Sequence, residues 1–331
     1  MQELLALVVE QSRGWFPETR RASVSVPGRV LITGAAGSIG CLLARSLCKV
    51  GLEVVALDWD EQRLYRLTQT LEGIEPVLAD VHSTERWRAY LEGCQWVIHC
   101  AAYKDVPFLE SQPAAAWRNN VISTEKLLNA CAQHGVPNIL HISTDKSVEP
   151  VSWLGLSKWA SEQLVVEYMR ATEANVAVLR LCNVLASRGS VLRLWAENPG
   201  QCVITDPNAR RWYVHPDVVA STVLSWVAQP QKGILLSPTA VERSVGALWQ
   251  FFQDCCRQLN IQAKHVALQK LRQGEKLSER LHWAFESPIR IGHFDVITPW
   301  VSEPVPAEVY PEKDEVQSCI QRWRRRNESD L

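Results

Sequence analysis

No stretch of this 331-residue chain approaches the about 20 consecutive apolar residues needed to span a bilayer. The short apolar run Leu4-Leu5-Ala6-Leu7-Val8-Val9 lacks the basic flank of a secretory signal. Membrane insertion is therefore not expected, and the chain reads as cytoplasmic. An excess of one charge is also missing: 35 Lys and Arg stand against 36 Asp and Glu, a net charge of −1. A general nucleic-acid binder shows a basic face, so no nucleic-acid partner is expected. The one basic run, Arg322-Trp323-Arg324-Arg325-Arg326, reads as a solvated helix end. Ten cysteines include no CxxC pair, and no Cys/His cluster has zinc-ligand spacing. That pattern fits a reduced cytosolic protein and predicts no metal. Repeats and low-complexity tracts are absent. With 47% hydrophobic residues, the chain can close a sizeable core.

What is present is alternation. Short apolar runs at 29–33, 53–57, 76–79, 96–99, 138–142 and 176–180 read as strands. Between them, apolar residues at i, i+3 and i+4 predict helices over 37–50, 60–72, 112–134 and 152–172. Strand–helix alternation implies right-handed crossovers and a parallel sheet covered on both faces. After about residue 182 the rhythm breaks at Gly189, Pro199, Gly200, Asp206-Pro207 and Pro216. The expected fold is α/β: a Rossmann-type doubly wound parallel sheet with a smaller mixed α/β substrate lobe from the C-terminal half. Residues 1–27 read as an N-terminal arm and 28–181 as the dinucleotide-binding domain. Residues 182–331 read as mainly substrate lobe, with segments returning to the main domain.

Thr33-Gly34-Ala35-Ala36-Gly37-Ser38-Ile39-Gly40 follows the first strand and opens the first helix. Gly34 permits the tight turn, Gly37 a close approach of backbone to pyrophosphate, and Gly40 helix–strand packing. With Ala36, Ser38 and Ile39, these residues form a phosphate cradle at a helix N-terminus. Asp58, ending the next strand, is placed to hydrogen-bond a ribose, which favours NAD over NADP. Asp80 and Val81, after the third strand, are placed against adenine.

Thr144-Asp145-Lys146 ends the fifth strand. Strand ends of a doubly wound sheet point into the ligand crevice, where adjacent acid and base can tune one another. Taken alone, the dipeptide reads as a surface ion pair at a strand–loop junction, and Lys158 as a solvated helix lysine. The glycine spacing, His99-Cys100-Ala101-Ala102, Asn120-Val121 and Lys158 together resemble the extended short-chain dehydrogenase/reductases. In that superfamily Ala101, Ala102 and Asn120 would touch the cofactor, and Lys158 would hold the nicotinamide ribose.

The segments TGAAGSIG, HCAAYKDVPFLE, NNVIST, STDKSVEP, CNVLASRGSV, ITDPNARRWYV and LRQGEKLSE occur in this order. Over roughly residues 29–285 they resemble the CapD-type polysaccharide biosynthesis proteins, nucleotide-sugar 4,6-dehydratases acting on UDP-N-acetylglucosamine. The resemblance implies bound NAD, a nucleotide-sugar partner and a homo-oligomer. It implies that Thr144 hydrogen-bonds the C4 oxygen, Lys146 removes the C5 proton and Asp145 protonates the departing C6 hydroxyl. It also assigns Lys104, Asn183, Arg188, Ser190, Val191, Arg211, Arg272 and Glu275 to the substrate. Soluble relatives carry a catalytic tyrosine where this chain has Leu154, and the membrane-attached relatives carry methionine. Asp105 and Gln273 are further departures. Two alternatives stay open: an epimerase or oxidoreductase sharing the 4-keto intermediate, and a catalytically weak NAD-binding sensor or scaffold.

Overall fold

The computed structural model describes residues 1–16, 27–237, 239–267, 270–291 and 294–298. Six strands alternate with helices through the first half: β1 (Gly28–Thr33), β2 (Leu52–Asp58), β3 (Ile74–Leu78), β4 (Cys94–His99), β5 (Asn138–Thr144) and β6 (Asn175–Leu181). Later strands are β7 (Asn183–Val184), β8 (Cys202–Ile204), β9 (Arg210–Val214), β10 (Gly233–Leu236), β11 (Val241–Ser244), β12 (His265–Ala267), β13 (Ile289–Ile291) and β14 (Phe294–Ile297). The helices are α1 (Gln2–Ser12), α2 (Ser38–Cys48), α3 (Glu61–Thr70), α4 (Val106–Glu110), α5 (Pro113–Trp117), α6 (Ser123–Gln133), α7 (Trp153–Ala171), α8 (Val191–Glu197), α9 (Pro216–Ala228) and α10 (Val245–Gln258).

One sheet of nine strands runs in the order β13-β14-β10-β6-β5-β4-β1-β2-β3. The pairs from β3 to β10 are parallel, and β14 and β13 add antiparallel pairs at one edge. This is the expected doubly wound α/β sheet. The chain order reverses between β1 and β4, which opens a crevice at the strands' carboxyl ends. Pro76 removes one ladder donor, and it lies in β3 at the other edge of the sheet, where that loss is tolerated.

Side chains alternate across the sheet with period two. Leu31, Val55, Leu57, Val97 and Ile139 pack on one face with α6 and α7. Val30, Ile32, Val54, Ala56, Ile98 and Leu140 pack on the other with α2 and α9. Helix starts carry their own caps: Asp60 accepts from the Arg63 amide, Ser152 from Gly155 and Ser244 from Ala247. The predicted helix over 112–134 is one rod with an internal irregularity. A π-turn at Arg118–Ile122 separates α5 from α6, and such bulges concentrate at functional sites.

A third core builds the smaller lobe from α8, α10 and short strands, with Trp195, Trp249 and Phe252 in mutual ring contact. Helix α1 belongs to this core, with Leu4 and Val8 buried against α8 and α10. The basic run 322–326 lies outside the described residues. We predict that Leu4→Ala lowers the unfolding free energy by about 2–4 kcal/mol, read from urea denaturation. An unchanged midpoint would mean that α1 is not part of the core.

Candidate active site

The cofactor residues come first along the crevice. Gly34 turns at φ +64°, and a Cβ there would meet the Ala101 amide nitrogen at 2.7 Å, so only glycine lets the β1 and β4 loops approach this closely. The turn feeds α2, whose first-turn amides have no intrahelical acceptor. Asp58 is buried at the end of β2, where its carboxylate accepts the amides of Ala36 at 2.9 Å and Asp60 at 3.0 Å. Gly34, Ala36, Gly37, Ser38, Asp58, Asp80, Val81, Ala101 and Ala102 all line one cavity of about 430 Å³. A glycine cradle at a helix start, joined to a buried acid at the next strand end, fits a dinucleotide.

Other expected cofactor residues lie differently. Gly40 packs on the backbone of Gly34 and Ala35, and Ile39 packs against the core beneath the turn. Asn120, in the π-turn, clamps the next loop: Oδ1 accepts from the Tyr103 amide at 2.8 Å, and Nδ2 donates to the Tyr103 carbonyl and Ser157 Oγ at 3.0 Å. Lys158 is outside the cavity lining. Its ammonium donates to the Ile142 carbonyl at 2.8 Å and lies 3.1 Å from His141 Nε2. Burial lowers its pKa to about 8, with Glu162 opposing. Burial and Lys158 together hold His99 at about 3, so that imidazole stays neutral between Thr33 and Thr124.

The chemistry residues form a second group. Asp145 is wholly buried, and its Oδ1 accepts from Thr144 Oγ1 at 2.9 Å and Lys146 Nζ at 3.2 Å. Lys146 Nζ also lies 3.0 Å from Glu279 Oε1, and Asn183 Nδ2 donates to Glu279 Oε2 at 3.2 Å. Arg211 Nε stands 3.6 Å from the same glutamate. Burial, reinforced by Glu279, raises Asp145 to about 7 against the pull of Lys146. Burial favours the neutral amine at Lys146, but Asp145 and Glu279 outweigh it and raise its pKa. Burial would raise Glu279 as well, yet Lys146 and Arg211 hold it at about 2. The resting state therefore pairs one ammonium with two carboxyl groups, one ionised and one poised near neutrality.

The substrate set is split. Lys104 and Arg188 line the cofactor cavity itself. Lys104 Nζ donates to the Arg188 carbonyl at 2.5 Å, and the Arg188 guanidinium donates to the Ala36 carbonyl and to Ser38 Oγ. Ser190 stands at the N-cap position of α8 with its hydroxyl buried and unpartnered, and Val191 begins the helix. Arg272 and Glu275 bond across their own turn, amide to carboxylate at 3.0 Å and amide to carbonyl at 3.0 Å. That turn sits on Gly274 at φ +79°, where a Cβ would crowd Ser152 and Glu110. Leu154 is buried with Leu109 and Ala116 and takes no part in the polar group.

Reading the chain missed a supporting layer. Arg180 on β6 is buried between Glu162 of α7, at 2.8 Å, and Glu286, at 2.6 Å. Glu162 also accepts from Ser143 Oγ at 2.5 Å and Ser147 Oγ at 2.7 Å, which brace both ends of the Thr144–Lys146 turn. Glu162 lies one helical turn past Lys158, and Glu279 lies within LRQGEKLSE; those positions were the available signals.

The sequence profile described as Polysaccharide biosynthesis protein matches residues 30–297. The chain belongs to that family. Within and around the family, a UDP-N-acetylglucosamine 4,6-dehydratase (inverting) of Campylobacter jejuni and a UDP-glucose 4-epimerase of Rickettsia rickettsii are each 28% identical over 265 residues, 76% of this chain and 76% of theirs. The chain spans between 35% and 61% of the length of three further curated relatives. Among solved structures, the dTDP-glucose 4,6-dehydratase DesIV of Streptomyces venezuelae, with NAD and TYD bound, matches with TM-score 0.66 at 20% identity, over 91% of this chain and 98% of that one. The CapD-type resemblance and the doubly wound fold both stand. No described helix is long and apolar enough to cross a membrane.

Arg180→Ala would strand two buried carboxylates, so we predict a loss of about 3–5 kcal/mol, measured by chemical denaturation. A loss below about 1 kcal/mol, as for an exposed pair, would show that the cluster is not holding the loop.

Proposed function

We propose that this family member is a nucleotide-sugar 4,6-dehydratase acting on UDP-N-acetylglucosamine or a related UDP-sugar. The observation carrying this reading is the buried Thr144-Asp145-Lys146 group, which provides an acid and an amine at one strand end. NAD, when bound in the Asp58 cavity, supplies reversible oxidation at the sugar. The glycine cradle and Asp58 support that cofactor choice, as does the NAD bound in DesIV. The resemblance brings Asn183, Arg211, Arg272 and Glu275 to the nucleotide.

Leu154 has no proton to exchange, so another group must deprotonate the C4 hydroxyl. Asp145, with a pKa of about 7, can accept and return a proton near neutrality. In our scheme Asp145 takes the C4 hydroxyl proton while Thr144 hydrogen-bonds the C4 oxygen. Lys146 passes its resting proton to a neighbouring carboxylate and removes the C5 proton, made acidic by the C4 ketone. Asp145 then delivers its proton to the C6 hydroxyl, which leaves as water. Lys146 returns a proton to C5 after exchange with solvent. Proton gain and loss balance around the cycle.

A second reading, 4-epimerisation, has its own support in the Rickettsia relative of equal identity. Epimerisation needs no acid aimed at C6, so the Asp145–Lys146 pairing favours elimination. Incubation with UDP-N-acetylglucosamine in D2O separates the two. We predict loss of one water and gain of one deuterium at C5 by mass spectrometry, whereas unchanged mass with C4 inversion would establish the epimerase. Absence of turnover across UDP- and dTDP-sugars, despite bound NAD, would establish a binding protein. Lys146→Ala should abolish C5 exchange, while Leu154→Ala should retain much of it once corrected for folded fraction. Equal damage from both would overturn the dispensability of position 154.

The pH dependence has a definite sign. Asp145 must be ionised to take the first proton, and its folded pKa is raised to about 7. Activity at limiting substrate should therefore fall as pH drops below about 7, by about tenfold per unit. A profile flat down to pH about 5 would remove Asp145 from this step.

A further inference from the structure

Glu279 is the carboxylate left to take the Lys146 proton once Asp145 is protonated, and it is the most constrained acid near the site. The loop that carries it is strapped over the catalytic turn by Lys276, whose ammonium donates to the Val148 carbonyl at 2.5 Å. Arg280 adds an ion pair to Glu149 at 2.8 Å. Trp212 Nε1 donates to the Glu279 carbonyl at 3.1 Å, and Asn183 and Arg211 fix the carboxylate itself. Between this carboxylate and Asp145 stands Lys146, 3.0 Å from one and 3.2 Å from the other. Asp145 Oδ2 is buried with no donor in reach, and the two carboxylates converge on the one ammonium. Two carboxyl groups flanking one ammonium oppose each other's ionisation, so the second to ionise does so at a higher pH.

We propose that Glu279 is a positioning residue for the elimination: its carboxylate, on the other side of the shared Lys146 ammonium, keeps the proton on Asp145 and anchors that ammonium, so that Asp145 is the exchangeable acid. The proposal rests on the dehydratase reading for its catalytic meaning, but not for its physical test. The proton moves as follows. When Asp145 gives its proton to the C6 oxygen, it becomes a carboxylate beside Glu279. Lys146 hands its resting proton to Glu279 before it accepts the one from C5, and recovers it from Glu279 once it has returned a proton to C5. The C4 hydroxyl proton leaves with water through Asp145, the C5 proton is replaced, and the pair ends as it began.

Other charged or titratable groups around the pair are Arg211 and Tyr213 from β9, Cys182 after β6, Lys276 from the strap and Lys104 from the loop after β4. Tyr213 and Cys182 are raised by burial, so they stay neutral near pH 7. Lys276 and Lys104 are lowered by burial. Glu279 is therefore the anionic neighbour able to push the Asp145 proton upward, while the cationic neighbours pull it down.

The experiment uses the whole 331-residue chain, with side-chain carboxyl carbons labelled, and follows Asp145 by NMR as pH is varied, assigned with Asp145→Asn. In the wild type the Asp145 signal should titrate near 7, and in Glu279→Gln its midpoint should fall by more than about one unit. The shorter acid in Glu279→Asp should give an intermediate midpoint. Activity provides the second readout: in Glu279→Gln the acidic limb of kcat/KM should move to lower pH with kcat reduced about tenfold or more, and KM little changed. An Asp145 midpoint in the ordinary carboxylate range in the wild type overturns the proposal even if Glu279→Gln does not fold. So does a midpoint unmoved by Glu279→Gln. A wild type that titrates near 7 yet dehydrates no sugar retains the carboxyl pair and removes the dehydratase reading.

Discussion

The Arg180 guanidinium is the interaction on which the site depends. It is buried on β6 and satisfied by Glu162 from α7 and Glu286 from the C-terminal strap. Replacing such a cluster with well-packed apolar residues is often neutral or stabilising in other proteins, so its value here is registration. Three elements distant in sequence converge on one planar fork that binds carboxylates in a fixed geometry. Through Glu162 the same fork reaches Ser143 and Ser147, and hence both sides of Thr144–Lys146. A shift of the strap would move Glu286, release Arg180 and loosen the turn that carries Asp145.

Burial and charge pull each active group in opposite directions, and the outcome differs at each. Asp145 is raised because desolvation and Glu279 outweigh Lys146. Glu279 is held low because two cations outweigh its desolvation. Lys158, with Glu162 as its main opposing charge, is lowered by burial. Three groups on neighbouring elements thus reach three different protonation states through geometry alone. Leu154 fits that arrangement, since an apolar side chain under α4 and α5 adds no further proton-binding group to the balance.

Local signals in the chain were readable and non-local ones were not. The strands from Arg29 to Arg180 lay where short apolar runs placed them, because all but the edge strand β3 are buried on both faces of one sheet. The glycine turn was legible because φ, close approach and helix start are properties of adjacent residues. The π-turn at Arg118–Ile122 was not read from the periodicity, which gave a single helix over 112–134. Arg188 was assigned to the substrate by position in a motif, and it lies on the glycine turn, contacting Ala36 and Ser38. Glu279 stood inside a quoted motif without distinguishing itself from Glu275. Only packing separates them, one buried between Lys146 and Arg211 and the other bonded across its own turn. Arg180 and Glu286 had no signal, because a partner 106 positions away leaves nothing in the local text.

Arg188 carries one more consequence. It belongs to the segment that leads into the smaller lobe, yet its guanidinium rests on the phosphate cradle of the larger one, while its own carbonyl is held by Lys104. A diphosphate entering the cradle competes for that guanidinium with a backbone carbonyl, a far weaker acceptor. Occupancy of the cradle and the placement of the loop are therefore thermodynamically linked, and each stabilises the other by the same free energy. A dinucleotide bound in the cradle would thus be gripped by two segments of the chain, and its release would need both to let go.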